Sequence, residues 1–302
     1  MKRLLSLTLL PALGVALGIA PAETINGTGI RRPFGYSLDS SDGEARTPKI
    51  LYHGGPILLG SVPVYIIYYG TFPSSTISIV NDFFSTIGGS LQYNVNTTYF
   101  NGQGTHIQNS ISFSTSGNVY NDNYSLGKTF NGNTVQTVVK NAIQGGHLPA
   151  DATGIYFVVT AMDVTIPGFC NSFCAYHANS TSIISGLDIK YSLIPDPTQA
   201  CAACDGNVAI FGQNITPNGD LGADEMTDSI MHELSEAVTD PDINAWFTRR
   251  GLENGDLCNF KYGTTYTAPN GAIANAHLGS RDYLVQTIWE NTGAGFCANT
   301  LP

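Results

Sequence analysis

One short segment of the chain has the residue types and spacing of a metal-binding helix. It reads His232-Glu233-Leu234-Ser235-Glu236. Residues four apart lie on one face of an α-helix, so the His232 imidazole and the Glu236 carboxylate point the same way. Both groups are ordinary zinc ligands. Glu233 follows the first ligand, where a carboxylate can act as the general base that takes a proton from water. The spacing predicts a zinc site of the metallopeptidase type, with glutamate in place of the usual second histidine.

A catalytic zinc needs a third protein ligand and one open coordination position. The nearest acidic residues beyond the loop that follows the motif lie in the turn Glu253-Asn254-Gly255-Asp256. We expect the third ligand to come from this turn and favour Glu253. Asp256 is one alternative, and Asp240, at the end of the predicted helix, is the other.

Residues 220–258 hold ten of the 23 acidic residues of the chain, so two further interpretations of the motif stay open. The simplest is a helix with a solvated acidic face and no metal. A carboxylate site for calcium is the second, because Ca²⁺ prefers oxygen ligands. A histidine and a carboxylate on one face favour zinc, with calcium as the alternative ion.

Histidines outside the motif are also possible ligands. A structural or surface role is the simpler expectation for each of them, because histidine is common in both settings. His177, in a cysteine-rich segment, and His277, near the C-terminal strand, are the two that we compare first with the position of the metal.

Apolar residues recur every four positions through this region, which predicts the helix that carries the motif. They are Met226, Ile230, Leu234, Ala237 and Val238. Pro241 ends the helix, since the residue before a proline is pushed out of helical geometry.

Hydrophobic segments elsewhere predict a mixed α+β domain. Residues 62–69 and 154–160 are rich in β-branched and aromatic residues, which indicates buried strands. Residues 74–87 and 134–143 have the periodicity of helices, and residues 283–289 are expected to form a C-terminal strand. The predicted order, strands and helices followed by a metal-binding helix, matches that of a zincin-like α+β fold. This analogy concerns the fold alone.

The six cysteines form an even set, which indicates disulfide bonds in an exported chain. They are Cys170, Cys174, Cys201, Cys204, Cys258 and Cys297. We expect the first two to pair with the next two, in either order, and the last two to pair with each other. The last bond would tie the acidic turn to the C-terminal strand. The first four also have the form of a structural zinc site, which is the alternative.

The N-terminal residues have the pattern of an export signal. Residues 1–22 begin with a basic pair, continue with an apolar run and end in Ala-Pro-Ala, which predicts a cleaved signal peptide. Residues 23–48 lack periodicity and predict a flexible leader, in which Arg31-Arg32 is either a processing site or exposed charge. Residues 49–302 are expected to form a single domain. No later stretch reaches the roughly 20 apolar residues needed to cross a bilayer.

Charge and glycosylation motifs fit an extracellular protein. The formal net charge of −10 argues against nucleic acid as a partner, because the phosphates would be repelled. Asn-x-Ser/Thr motifs mark expected glycosylation sites in a secreted chain. They occur at Asn26, Asn96, Asn123, Asn179 and Asn214.

Several ordered motifs resemble the Exordium-like, or phosphate-induced, secreted proteins. They are the acidic helix with its flanks (217–247), the turn ENGDLC and the segments at 52–70, 145–164, 168–178 and 281–290. The resemblance implies an extracellular protein linked, in plants, to growth and the cell wall, and it brings no established activity. It also implies that the glutamate at the second ligand position is a feature of the family.

Three functions follow as hypotheses. The first is a secreted zinc metallopeptidase, with Glu233 as base and His232, Glu236 and Glu253 as ligands. The second is a non-catalytic protein of the wall or extracellular matrix on the same scaffold. The third is a wall-glycan binder or glycosidase that uses clustered acids and surface aromatic residues. The expected partner is an extracellular peptide or a wall component, and the sequence does not define the oligomeric state.

Overall fold

A computed structural model describes residues 49–198 and 201–302, together with the backbone of two N-terminal strands, β1 (Glu23–Ile25) and β2 (Gly29–Pro33). The predicted signal peptide, residues 1–22, lies outside the described residues. β1 and β2 pair as an antiparallel hairpin inside the segment expected to be a flexible leader. That expectation misses these two strands because their partner strand belongs to the domain and leaves no local sequence pattern.

The centre of the fold is a mixed sheet. The strands up to the middle of the chain are β3 (Leu51–Tyr52), β4 (Val62–Tyr69), β5 (Ile111–Ser112), β6 (Val119–Asp122), β7 (Ile155–Thr160), β8 (Tyr176–Ile184) and β9 (Leu187–Pro195). The strand order is β1-β2-β8-β9-β7-β4-β5, and β6 also pairs with β4. β4, β5, β6, β7 and β9 run parallel to one another, whereas β8 runs antiparallel to β9.

Helices cover both faces of this sheet. The covering helices are α1 (Ser74–Ile87), α2 (Thr134–Gln144) and α4 (Leu221–Thr239), and a short helix, α3 (Gly206–Phe211), precedes α4. Short 3₁₀ turns lie at Tyr93–Thr98, Ala202–Cys204 and Asp256–Cys258. The predicted helices at 74–87 and 134–143 and the predicted strands at 62–69 and 154–160 are confirmed to within one residue at each end. In the part of the chain that the structure describes, no helix is long and apolar enough to span a bilayer.

The alternating side chains of β4 show how the sheet separates two cores. Val64, Ile66 and Tyr68 pack on the side of α1 and α4. Tyr65 and Ile67, between them, pack on the opposite side with α2. Both faces of the central strands are therefore buried, as expected where helices lie on both sides of a sheet.

The C-terminal part is made of short hairpins. Their strands are β10 (Trp246–Phe247, paired with β3), β11 (Tyr266–Thr267), β12 (Ile273–Ala274), β13 (Ala276–Leu278), β14 (Arg281–Tyr283), β15 (Ile288–Glu290) and β16 (Phe296–Ala298). The single strand predicted at 283–289 is wrong, because residues 284–287 are not in a strand. The backbone N–H groups of Val285 and Gln286 donate instead to the side chains of Asn275 and Asp228.

Three disulfides brace the domain, as predicted. Cys258–Cys297 joins the acidic turn region to β16. The two remaining bonds settle the order that the sequence leaves open. They are Cys170–Cys201 and Cys174–Cys204.

Candidate metal centre

Helix α4 is buried on every side, which excludes a solvated acidic face. Asp220 caps its N-terminus by accepting a hydrogen bond from the N–H of Ala223. Every residue from Gly222 to Thr239 is buried, acidic residues included. Carboxylates that are removed from water need hydrogen-bond donors or a cation, so the surroundings of each one indicate its role.

The motif residues meet as the helical spacing predicts. His232 Nε2 lies 2.9 Å from Glu236 Oε1. The same oxygen accepts the backbone N–H of Asp256 at 3.0 Å, which fastens the acidic turn to the helix. Burial lowers the pKa of His232, against the opposing effect of Asp256. The imidazole is therefore neutral at neutral pH, the form in which histidine binds metals.

A second histidine reaches the same carboxylate from strand β8. His177 Nε2 lies 3.6 Å from Glu236 Oε2 and 3.3 Å from both carboxylate oxygens of Glu253. Glu236 thus stands between two imidazoles. Two overlapping groups result, each with its candidate ligand atoms within 4.8 Å of one another. They are His177, Glu236 and Glu253, and His232, Glu236 and Asp256.

The proposed third ligands occupy three different positions. Glu253, the favoured one, faces His177. The alternative, Asp256, belongs to the group of His232, with 3.8 Å between Oδ1 and Nε2. Asp240 lies outside both groups, and its Oδ1 accepts the N–H groups of the loop residues 244 and 245 at 2.6 Å each. Burial, then the charge of Glu253, raises the pKa of Asp240 to about 8.

Glu233, the predicted base, lies beside these groups and is completely buried. Neither of its oxygens has a hydrogen bond of normal geometry, although the nearby backbone N–H of His177 lowers its pKa. Burial, followed by the charges of Glu236, Asp256 and Glu253, has the larger effect and raises the pKa of Glu233 well above its ordinary value. A nearby cation would reverse that effect and favour the carboxylate form.

Gln286 orients the imidazole of His232, a role that the sequence gives no sign of. Its side-chain nitrogen lies 2.5 Å from Nδ1, while its buried Oε1 has no hydrogen-bond partner. The two ends of an amide have the same shape. With the amide turned over, Oε1 accepts a hydrogen bond from Nδ1–H, and the lone pair of Nε2 is directed towards Glu236. Partners of this kind fix the tautomer of metal-binding histidines.

Gly255 allows the acidic turn to lie directly on the helix. A Cβ atom at this position would be 2.9 Å from Glu236 Oε1 and 2.9 Å from ring carbons of His232. Real Cβ atoms essentially never come that close. A residue with a side chain would therefore push the turn away from both candidate ligands.

The donor set fits zinc better than calcium. Imidazole nitrogen is a normal ligand of zinc, whereas calcium sites are built from oxygen. Among the described residues, each of the two groups combines one histidine with two carboxylates. Three protein ligands with nitrogen and oxygen donors are the usual number and kind at a catalytic zinc.

The other histidine that we compare, His277, does not reach this centre. Its side chain is exposed, and Nδ1 lies 2.8 Å from Asp282 Oδ1 at the surface. Among the glycosylation motifs, Asn123 and Asn214 are exposed and Asn179 is half-buried. Asn96 is fully buried and donates to Ser235, so the folded chain has no room for a glycan there. Asn26 lies outside the described residues.

Comparisons with known proteins agree with the motifs. The family model described as "Phosphate-induced protein 1 conserved region" matches residues 50–298. Protein EXORDIUM-like 3 of Arabidopsis thaliana is 30% identical to this chain, and the match covers 90% of this chain and 91% of the Arabidopsis protein. Protein PHOSPHATE-INDUCED 1 of Nicotiana tabacum is 28% identical, over 82% and 87% respectively. No solved structure matches the chain. The chain therefore belongs to the phosphate-induced protein 1, or Exordium-like, family.

Proposed function

We propose that the chain is an extracellular zinc-dependent hydrolase that acts on peptides. The observation that carries this proposal is the meeting of two histidines at one carboxylate, Glu236, directly beside a buried glutamate, Glu233. Further support comes from the packing of α4 against β8 and β9. The zincin-like fold expected from the sequence is part of this proposal.

Each residue of the centre has a part in the proposed reaction. Glu236 is the shared ligand, and His232 with Asp256, or His177 with Glu253, completes the set. Zinc held by these residues would supply Lewis acidity, which polarises a carbonyl group and lowers the pKa of water. Glu233 takes a proton from water and later returns it to the leaving amine. The turn at Gly255 and the amide of Gln286 hold the ligands in place.

An extracellular location is part of the proposal. Three disulfides suit an oxidising compartment, since such bonds are rare where thiols are kept reduced. The predicted signal peptide and the exposed glycosylation motifs at Asn123 and Asn214 point the same way. The partner is then an extracellular peptide or a protein of the cell wall.

Replacement of the proposed base tests the function. The full-length secreted protein, loaded with zinc, is incubated with a mixed peptide library, and cleavage is followed by mass spectrometry. We expect Glu233→Gln to abolish cleavage and to keep the zinc, because the amide cannot accept the proton. Zinc-loaded wild type that cleaves no peptide, or a variant that cleaves as fast as wild type, would contradict the proposal.

Burial of the centre favours a second candidate, a non-catalytic extracellular protein in which the ion is structural. His177, His232, Glu233, Glu236 and Glu253 are each at most 1% exposed, which leaves little access for a substrate. This candidate predicts that zinc raises the melting temperature and that Glu233→Gln changes no biological effect. The two candidates separate in a complementation assay of the Glu233→Gln variant, which a catalytic role predicts to fail.

A further inference from the structure

The outer edge of strand β8 is occupied by a segment from the N-terminus of the chain. β8 pairs with β9 on one side and with β2 on the other, antiparallel in both cases. The register of the β2 pairing places Pro33 opposite Tyr176, Arg32 opposite His177 and Arg31 opposite Ala178. Without β2, the backbone groups of β8 on this side would be an open edge, ready to pair with another extended chain.

This edge lies directly beside the candidate metal centre. His177 is the middle residue of the paired stretch, and its side chain reaches Glu236 and Glu253. Neighbouring strands are about 4.8 Å apart. A chain that pairs with β8 at this point therefore has its backbone one strand spacing from a residue of the centre.

The pairing between β2 and β8 has the features expected of a segment that can dissociate from the strand edge. It consists of three residue pairs, and beyond β8 the only described strand that pairs with β2 is β1. An isolated two-stranded hairpin is at best marginally stable in water, so the β1–β2 hairpin depends on its three pairs with β8 to stay ordered. The sequence of β2, Gly-Ile-Arg-Arg-Pro, contains two adjacent arginines, and the neighbouring candidate centre is rich in carboxylates. Backbone pairing gives affinity without a sequence requirement, and the charges favour this segment over others.

We propose that the outer edge of β8 is a docking site for an extended peptide, and that Gly29–Pro33 is its internal occupant. A peptide from another chain can pair with residues 176–178 of β8 only after this segment has left. The inference rests on the proposed function for the fate of the docked peptide, which is cleavage at the neighbouring centre. The docking itself does not depend on that reaction. It uses the edge of the sheet, and basic extended peptides are the class that the site takes, because its internal occupant contains Arg31 and Arg32.

The test releases the occupant from the folded protein. A recognition sequence for a site-specific protease is inserted between residues 34 and 48 of the full chain, and the purified protein is cut and gel-filtered. Hydrogen–deuterium exchange of residues 176–178 is measured before and after. We expect exchange at these amides to rise at least about tenfold on release, because their edge loses its hydrogen-bond partners. A cut segment that stays bound through gel filtration is challenged with excess peptide of residues 24–33, and a segment that this peptide cannot displace would overturn the proposal.

A labelled synthetic peptide of residues 24–33 then measures rebinding. We expect one peptide to bind per released chain and to restore protection at 176–178. The control peptide carries proline in place of Ile30 and Arg31. Alternate residues of a strand direct their N–H groups to one neighbour, so this pair removes at least one donor to β8. Unchanged exchange after release, or equal binding of both peptides, would overturn the docking site.

Zinc content, measured on the same samples, keeps the two proposals apart. A released chain that binds the peptide and holds no zinc retains the docking site and refutes the zinc hydrolase. A released chain that holds zinc and binds no peptide retains the metal centre and refutes the docking site.

Discussion

The two halves of helix α4 carry similar numbers of buried acids in very different surroundings. In the N-terminal half, Asp224, Glu225 and Asp228 accept hydrogen bonds from N–H and O–H groups on both carboxylate oxygens. The donors belong to Asn218, Gly206, Asn207, Tyr262 and Gln286. These three acids hold the loops against the helix, and they have the donors that buried carboxylates need.

The C-terminal half places its acids against imidazoles and against other acids. Glu236 lies between His177 and His232, and the carboxylates of Glu253 and Asp256 lie beside them. Such an arrangement gains stability from a cation, whereas hydrogen-bond donors already stabilise the first half. The density of acidic residues therefore does not by itself indicate a metal site, whereas the partners of each acid do.

Replacing a carboxylate by an amide should lower zinc affinity in the C-terminal half of α4 and lower only the stability in the N-terminal half. This is the largest effect that we expect. Glu236→Gln removes the ligand that both candidate groups share, so zinc affinity should fall by more than the roughly 100-fold seen for outer partners of a metal site. Asp224→Asn is the matched control. It should cost about 1–3 kcal/mol of stability through its broken hydrogen bonds and leave zinc affinity unchanged. Competition with a zinc-binding dye gives both affinities, and equal losses would contradict the division of the helix.

Gln286 joins the two halves, because its backbone N–H binds Asp228 and its side chain contacts His232. Gln286→Ala removes only the side-chain contact. We expect zinc affinity to fall about 10- to 100-fold, since the imidazole is no longer held in one tautomer and orientation. Exposed Gln103 provides the control, Gln103→Ala, which should change nothing. Titration calorimetry at several pH values measures the effect, and wild-type affinity for Gln286→Ala would exclude the orienting role.

Substitution of Gly255 tests whether the centre requires the close contact between the acidic turn and helix α4. In Gly255→Ala the new methyl group must displace the turn or the pair His232 and Glu236, at a cost of about 1–3 kcal/mol. Zinc affinity should fall with it, by roughly tenfold. Gly60→Ala is the control, because no atom lies within 4 Å of a Cβ at that position. Urea unfolding with and without zinc measures both quantities, and equal stability of the two variants would contradict the close contact.

The metal-free protein should become less stable as pH rises from about 4 to 8. Burial raises the pKa of Asp228 to about 6 and that of Asp240 to about 8, from 3.8. An acid with a raised folded-state pKa gives stability that is complete below its unfolded pKa and is lost as pH rises through the folded value. The loss is at most about 1.4 kcal/mol per pH unit for each group. Urea unfolding at pH 5 and pH 8 checks this, and a metal-free protein that is more stable at pH 8 would contradict it.

Local patterns in the sequence predict much of this centre. The four-residue spacing places His232 and Glu236 on one side of α4, and their contact follows from helical geometry alone. The sequence also predicts the pairing of Cys258 with Cys297, and the bond joins the turn region to β16. These predictions succeed because the partners are close in sequence or chemically restricted to one another.

The parts that depend on distant register cannot be predicted in the same way. The sequence marks His177 only as one of two histidines to compare with the metal position. His177 enters the centre because antiparallel β8 lies beside α4, and no spacing in the sequence encodes that neighbour. Gln286 becomes a partner of His232 because residues 284–287 leave the predicted strand and donate to side chains instead. The hairpin of β1 and β2 escapes prediction for the same reason, since its partner strand is some 140 residues away.

Metal analysis of the full-length secreted protein tests the central claim most directly. The protein is purified without chelators, dialysed against zinc and then against buffer, and analysed by plasma mass spectrometry. We predict about one zinc per chain, retained in Glu233→Gln and Asp224→Asn and lost in Glu236→Gln. A wild-type protein that holds no divalent ion after this treatment would contradict the account.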